Sequence, residues 1–120
     1  MQLKLDESHE LYRQNCLRFA REKIAPFAHE WEEAGLFPRE LYQQAAAAGI
    51  LGVSLPEGLG GAGGDMLHAL VTIEALLTGG STGVVSGLGS LGIALPPVLN
   101  LGSTEQKRRF VPPVITGEKI

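Results

Sequence analysis

Thirty consecutive residues, Ala75 to Thr104, carry no charged side chain, and six residues between Gly79 and Gly92 are glycine. No other feature limits the possible folds of this chain as strongly. The stretch exceeds the ~20 residues that a membrane span requires, so a bilayer is the first reading to weigh. Against it stand the pair Pro96–Pro97 and the polar Thr78, Ser81, Thr82, Ser86, Ser90 and Asn100. Proline and glycine are tolerated in spanning helices, but their density together with the polar groups favours the other reading. The expectation is no membrane span and a helix buried in a soluble core.

Composition agrees with a segregated chain. Residues 1–40 hold 14 of the 23 charged side chains, residues 41–104 only Glu57, Asp65 and Glu74, and the last sixteen hold six. Glycine reaches 16 of 120 residues, about twice its usual share, and thirteen lie between Gly49 and Gly92. A net charge of −3 and a pI of about 5.6 exclude a phosphate-tracking surface, so no nucleic-acid partner is expected. Cys16 is the single cysteine and can form neither an internal disulfide nor a cysteine-based zinc site. The charged start, with no apolar run behind it, lacks signal-peptide character, and a cytoplasmic, reducing setting is the default.

Helical spacing dominates. Tyr12, Cys16, Phe19, Ala20, Ile24, Phe27, Ala28 and Trp31 recur at steps of three and four from Asp6 to Ala34, with a kink or a break expected at Pro26, a second short helix to Ala34 and a stop at Gly35. A second helix is expected from Pro38 to Ala48, closed by Gly49. Ile50 to Leu55 is apolar but runs into Pro56 and has no partner strand, so it reads as a loop. Asp65 caps a helix to about Thr78, which its many apolar residues predict to be buried on several sides. Ser81 or Thr82 begins another through Leu101. Ser103 with Gln106 makes a capping box for a basic helix ending near Val111, before Pro112–Pro113 opens a last turn. No segment alternates with period two. The expected fold is all-α, a bundle of five or six helices.

Two literal G-x-G-x-x-G matches occur, Gly58-Gly60-Gly63 and Gly87-Gly89-Gly92. A dinucleotide site needs a strand before the motif and a helix after it, and neither match has that setting. Small residues one turn apart, Gly83 with Gly87 and Ser86 with Ser90, either admit a neighbouring helix closely or leave room for a narrow apolar ligand. Glu74 is the only acid in its apolar helix; burial would raise its pKa, and a pairing with an arginine of the first helix is the expected role. His29-Glu30 begins like a zinc motif but has Glu33 where the second histidine belongs, so no metal is expected. His9 and His68 show no evident partners, Cys16 reads as packing, and Lys107-Arg108-Arg109 as a solvated face.

A longer signature runs through the chain. It comprises Ala25-Pro26 with Glu30-Trp31-Glu32, Gly35-Leu36-Phe37-Pro38 with Glu40-Leu41, and Gly49-Ile50-Leu51-Gly52. It continues with Pro56-Glu57-Gly58-Leu59-Gly60-Gly61-Ala62-Gly63, Glu74-Ala75-Leu76, Gly102-Ser103-Thr104-Glu105-Gln106-Lys107 and Gly117-Glu118-Lys119-Ile120. In order and spacing these seven resemble the opening of the acyl-CoA dehydrogenase family. The resemblance implies that residues 1–120 are an N-terminal helical domain, preceding a middle β-barrel domain and a C-terminal helical domain that this chain does not contain. It implies α,β-dehydrogenation of a fatty acyl-CoA, with FAD as cofactor and an electron-transfer flavoprotein as partner, in an enzyme that is usually a homo-oligomer. The catalytic glutamate and most of the FAD site would then lie outside these residues, and the chain alone would be inactive. Its expected contribution is one wall of the acyl-chain pocket, from Val85, Ser86, Gly89, Ser90 and Ile93. Family members acting on medium chains tend to be bulkier where Gly89 and Ser90 stand, which implies a pocket for longer or branched chains. The glycine content of this helix exceeds the family norm and leaves a divergent substrate open. Two alternatives remain: the N-terminal domain of a sister flavoenzyme, an acyl-CoA oxidase or flavin monooxygenase, or a stand-alone helical interaction module without catalysis.

Overall fold

The computed structural model describes residues 4–120. Asp6 starts the first helix, α1 (Glu7–Phe19), through a reciprocal capping box. Its carboxylate accepts the His9 N–H at 3.0 Å, while His9 Nδ1 accepts the Asp6 N–H at 3.1 Å. At Ala20–Ile24 the helix widens into a π-turn, with the Ala25 N–H on the Ala20 carbonyl at 2.8 Å. Pro26, which has no N–H to give, ends the ladder there, and the expected kink is a π-turn followed by a break. The wide turn leaves Ala20, Ile24 and Ala28 all facing the interior.

The short helix α2 (Ala28–Ala34) ends at Gly35 with φ +70°, a left-handed backbone that favours glycine. A ladder of aromatic rings carries the chain onward: Phe27 stacks on Trp31 at 5.3 Å, Trp31 meets Phe37 at 6.2 Å, and Phe37 meets Tyr42 at 5.5 Å. Tyr42 belongs to α3 (Glu40–Ala47). The loop after it folds back on itself, with the N–H groups of Ala62, Gly63 and Gly64 on the carbonyls of Gly52, Leu55 and Val53 around a 3₁₀ turn at Glu57–Leu59.

Asp65 then caps α4 (Met66–Leu77) by a second Asp-x-x-His box with His68. Helix α4 lies parallel to α1, because matching turns meet: His9 reaches Asp65, and one turn on the Tyr12 hydroxyl meets Thr72 Oγ1 at 3.0 Å. Ser81 caps α5 (Thr82–Gly89), accepting the Val84 N–H at 3.1 Å and donating its own proton to Glu32 of α2. Helix α6 (Leu91–Leu101) follows, then α7 (Thr104–Ile115) with the expected Ser103–Gln106 box. One apolar cluster joins α1, the π-turn, α3, α4 and α5 around Cys16, Phe19, Ile24, Leu76 and Val84. A smaller one joins α6 and α7 around Leu91, Leu95 and Val111.

The described residues are all-α, as expected, with seven α-helices besides the π-turn and the 3₁₀ turn, and no strand. Several details differ from expectation. The single helix expected from Thr82 to Leu101 is interrupted at Ser90. Helix α7 runs through Pro112–Pro113 to Ile115, because a proline removes only its own N–H while Val111, Val114 and Ile115 still pack on α6. Helix α4 is not buried on several sides: Leu70, Ile73, Glu74 and Leu77 form an exposed stripe at helical spacing. Glu74 is thus neither buried nor in contact with an arginine of α1. The run Thr82–Leu101 is long and apolar enough to cross a membrane by length and composition, but it is not the buried core helix expected, since only 28% of its most apolar window is inside the domain.

Candidate functional site

Helices α5 and α6 hold the five residues singled out for an acyl-chain wall, and the structure divides them. Val85 is buried and points toward α4. Ser86, Gly89, Ser90 and Ile93 form an exposed stripe at helical spacing, with Ile93 81% exposed. The stripe holds no charge and, apart from Ile93, no bulk.

Between that run and α4 lies an open groove of about 180 Å³. Val85 and Gly89 line it; Ser86, Ser90 and Ile93 do not. Its remaining walls are Ile73 and Leu76 of α4, Leu88 and Leu91 beneath Gly89, and the turn at Ile50–Ser54. Residue-by-residue matching missed these walls. Their spacing was available, since Ala69, Thr72, Ile73 and Leu76 share one face of α4 and Gly92 is one turn past Gly89. A side chain added at Gly89 or Gly92 would meet nothing within 4 Å, so the groove mouth is bounded by bare backbone. Two residues before Gly89 the same residue type has the opposite role. A Cβ at Gly87 would lie 2.6 Å from the Phe37 ring, and the Gly87 carbonyl accepts the Tyr42 hydroxyl at 3.1 Å. The aromatic ladder thus fixes α5 from below and leaves its other face free.

Groups able to titrate stand away from the groove. Cys16 is fully buried and burial raises its thiol pKa, which removes it as a nucleophile at neutral pH. Burial also raises the Tyr12 hydroxyl above its ordinary value. The expectation that His9 and His68 lack partners is wrong. His9 is buried, its Nε2 lies 2.9 Å from Asp65 Oδ1, and its ring sits 4.3 Å from that of His68. This contact spans 56 positions, which no local pattern announces. Hydrogen bonds from the His9 side chain and the His68 backbone hold the Asp65 carboxyl down at about 2.

Gly58, Gly60 and Gly63 lie in the 3₁₀ loop, and Gly87, Gly89 and Gly92 lie along α5 and α6, so neither glycine set forms a phosphate cradle after a strand. No group on the groove walls is positioned as an acid or base.

The chain matches the family model described as acyl-CoA dehydrogenase, N-terminal domain, over residues 6–118. It is 37% identical over 112 residues to the rat long-chain specific acyl-CoA dehydrogenase, covering 93% of this chain and 26% of that protein. It is 35% identical over 119 residues to the human short-chain specific acyl-CoA dehydrogenase, covering 98% and 29%. Among solved structures, a putative acyl-CoA dehydrogenase from Mycobacterium smegmatis superposes with a TM-score of 0.90 at 39% identity, over 97% of this chain and 31% of that one. Butyryl-CoA dehydrogenase from Megasphaera elsdenii gives 0.88 at 27% identity, over 100% and 32%. The chain therefore spans less than a third of these relatives, and over that span it belongs to the acyl-CoA dehydrogenase family, as its N-terminal domain.

Proposed function

We propose that this domain supplies one wall of the acyl-chain pocket in an acyl-CoA dehydrogenase that forms the α,β double bond of a fatty acyl-CoA. The observation that carries the reading is the uncharged stripe of α5–α6 beside the apolar groove at Gly89: a thin, dry surface of helical backbone suits an alkyl chain. Val85, Ser86, Gly89, Ser90 and Ile93 are assigned to that wall. Their role is to exclude water and set the depth available to the chain, while the reacting atoms lie elsewhere. FAD, which supplies the two-electron acceptor in this reading, is held by parts of the enzyme other than these residues. Electrons then pass to an electron-transfer flavoprotein. One solved neighbour supports that partner: a chain from a structure of the electron transferring flavoprotein of Acidaminococcus fermentans, at 25% identity and a TM-score of 0.87. The bare faces of α4 and α6 are covered by protein of the same homo-oligomeric enzyme rather than by lipid. The unpaired, buried Cys16 fits a reducing compartment such as the cytoplasm.

Gly89 gives the direct test, since a larger residue there fits the domain and intrudes only on the open side. In the flavoenzyme that contains this domain, Gly89→Phe is expected to move the acyl-CoA preference toward shorter chains. An unchanged chain-length profile removes Gly89 from the pocket wall. Dye reduction without oxygen consumption supports the dehydrogenase, and rapid oxygen consumption points to an oxidase.

A further inference from the structure

The two Asp-x-x-His boxes do more than cap their own helices, because the parallel packing of α1 on α4 brings them face to face. His9, Asp65 and His68 each offer one ligand atom, a ring nitrogen or a carboxylate oxygen, and the three lie within 4.8 Å of one another. Asp65 Oδ1 is 2.9 Å from both His9 Nε2 and His68 Nδ1. The single lone pair of His68 Nδ1 accepts the Asp65 N–H at 3.2 Å in one neutral tautomer, and in the other the Nδ1–H donates to Asp65 Oδ1; an ion bound at Nδ1 takes the place of either contact.

We propose that His9, Asp65 and His68 form a binding site for a divalent metal of the zinc class, clamping the N-terminal ends of α1 and α4 together. Two imidazoles and a carboxylate are a ligand set that such ions accept, with water completing the coordination. Ligand atoms 2.9 Å apart subtend about 90° at a metal held at 2.0–2.1 Å, a workable bite. The supporting contact is also present. When Nε2 of His9 takes the metal its proton moves to Nδ1, which gives up the bond from the Asp6 N–H and donates instead to Asp6 Oδ1, 2.9 Å away, so the ligand is oriented by a carboxylate from behind. The tautomer shift releases no proton. The positive ends of two helices disfavour a cation, and Asp6, Glu7, Glu10 and Asp65 at this end offset them. His9 is 5% exposed at the side chain and His68 16%, while Asp65 at 58% leaves the ion a path from solvent. The five residues assigned to the acyl-chain wall lie in the α5–α6 run and none of them belongs to this site, so the site is structural and does not rest on the acyl-chain reading.

The test is titration of the purified, metal-free chain with Zn²⁺ by calorimetry, alongside thermal melts followed by circular dichroism. One ion per chain and a raised Tm are expected. His68→Gln removes the nitrogen ligand but keeps the cap, since Gln106 fills the same position in the Ser103 box. Asp65→Asn likewise keeps a capping side chain and loses the carboxylate. Each is expected to weaken Zn²⁺ binding more than about tenfold with the helical spectrum retained, whereas exposed His29→Gln leaves it unchanged. Absence of binding, or an affinity in His68→Gln and Asp65→Asn equal to that of the unsubstituted chain, overturns the proposal.

Discussion

Helices α1 and α4 are joined along their length, whereas the α5–α6 run is held on one side and bare on the other. In the first region each turn has a partner: His9 on Asp65, Tyr12 on Thr72, and Ile24 against the backbone at Gly79, where an added Cβ would lie 2.7 Å from Ile24 Cγ2. In the second, Val84, Val85, Leu88, Leu91 and Leu95 face inward while Ser86, Gly89, Ser90 and Ile93 face nothing in the domain. The contrast separates two uses of small residues. Around α1 and Phe37 they let neighbours approach. On the outer face of α5–α6 they keep space open.

If the first region is the rigid half, deleting its centre has the largest effect. Ile24 is fully buried among the residues of the main cluster. Ile24→Ala is expected to lower unfolding stability by about 2–5 kcal/mol in urea melts, from lost burial plus the cavity left behind. A loss under about 1 kcal/mol would mean that the π-turn relaxes into the gap and that this half is not rigid.

Gly87→Ala comes next, because it probes the inner side of the second region. Its new methyl meets the Phe37 ring, itself fixed between Trp31 and Tyr42. Overpacking of this kind costs about 1–3 kcal/mol, partly offset by alanine's better helix propensity. Ser81→Ala follows at about 1 kcal/mol. It removes the α5 cap and the bond to Glu32 together, and hydrogen exchange should rise in the first turn of α5 before anywhere in α4. Uniform acceleration of exchange across both helices would show that the two regions open as one.

Local chemistry made most of the fold legible. Asp65, Ser81 and Ser103 announce their helices because a cap bonds only to the next three residues, and Gly35 announces a stop because its backbone is left-handed. Pairings distant in sequence were not legible. In the sequence His9 shows no evident partner and Asp65 is a helix cap, and only the parallel docking of α1 on α4 joins them. Periodicity also failed to say which apolar faces are covered: α4 looks buried all round when its residues are counted, yet Leu70, Ile73 and Leu77 are exposed in this domain. The five wall residues lie in a helical run interrupted at Ser90, and counting could not split Val85 from its outward neighbours. The prolines misled for a simpler reason. Packing of Val111 and Val114 on α6 outweighs the N–H groups that Pro112 and Pro113 withhold.

The smallest effect separates the two uses of glycine most directly, because its sign reverses. Gly87 and Gly89 sit two residues apart in one helix and differ sharply in what lies beyond the missing Cβ. At Gly89 nothing lies within 4 Å and the backbone is ordinary helix, so Gly89→Ala carries no steric cost. It restricts the unfolded chain and is expected to raise stability by about 0.5–1 kcal/mol, where Gly87→Ala lowers it. Urea midpoints of the two variants, measured side by side, decide the point. Loss of stability at both positions would mean that the outer face is already occupied by the domain itself. A gain at Gly89 alone means that the helix forgoes available stability at that position, which is expected where space outside the helix is what the residue provides.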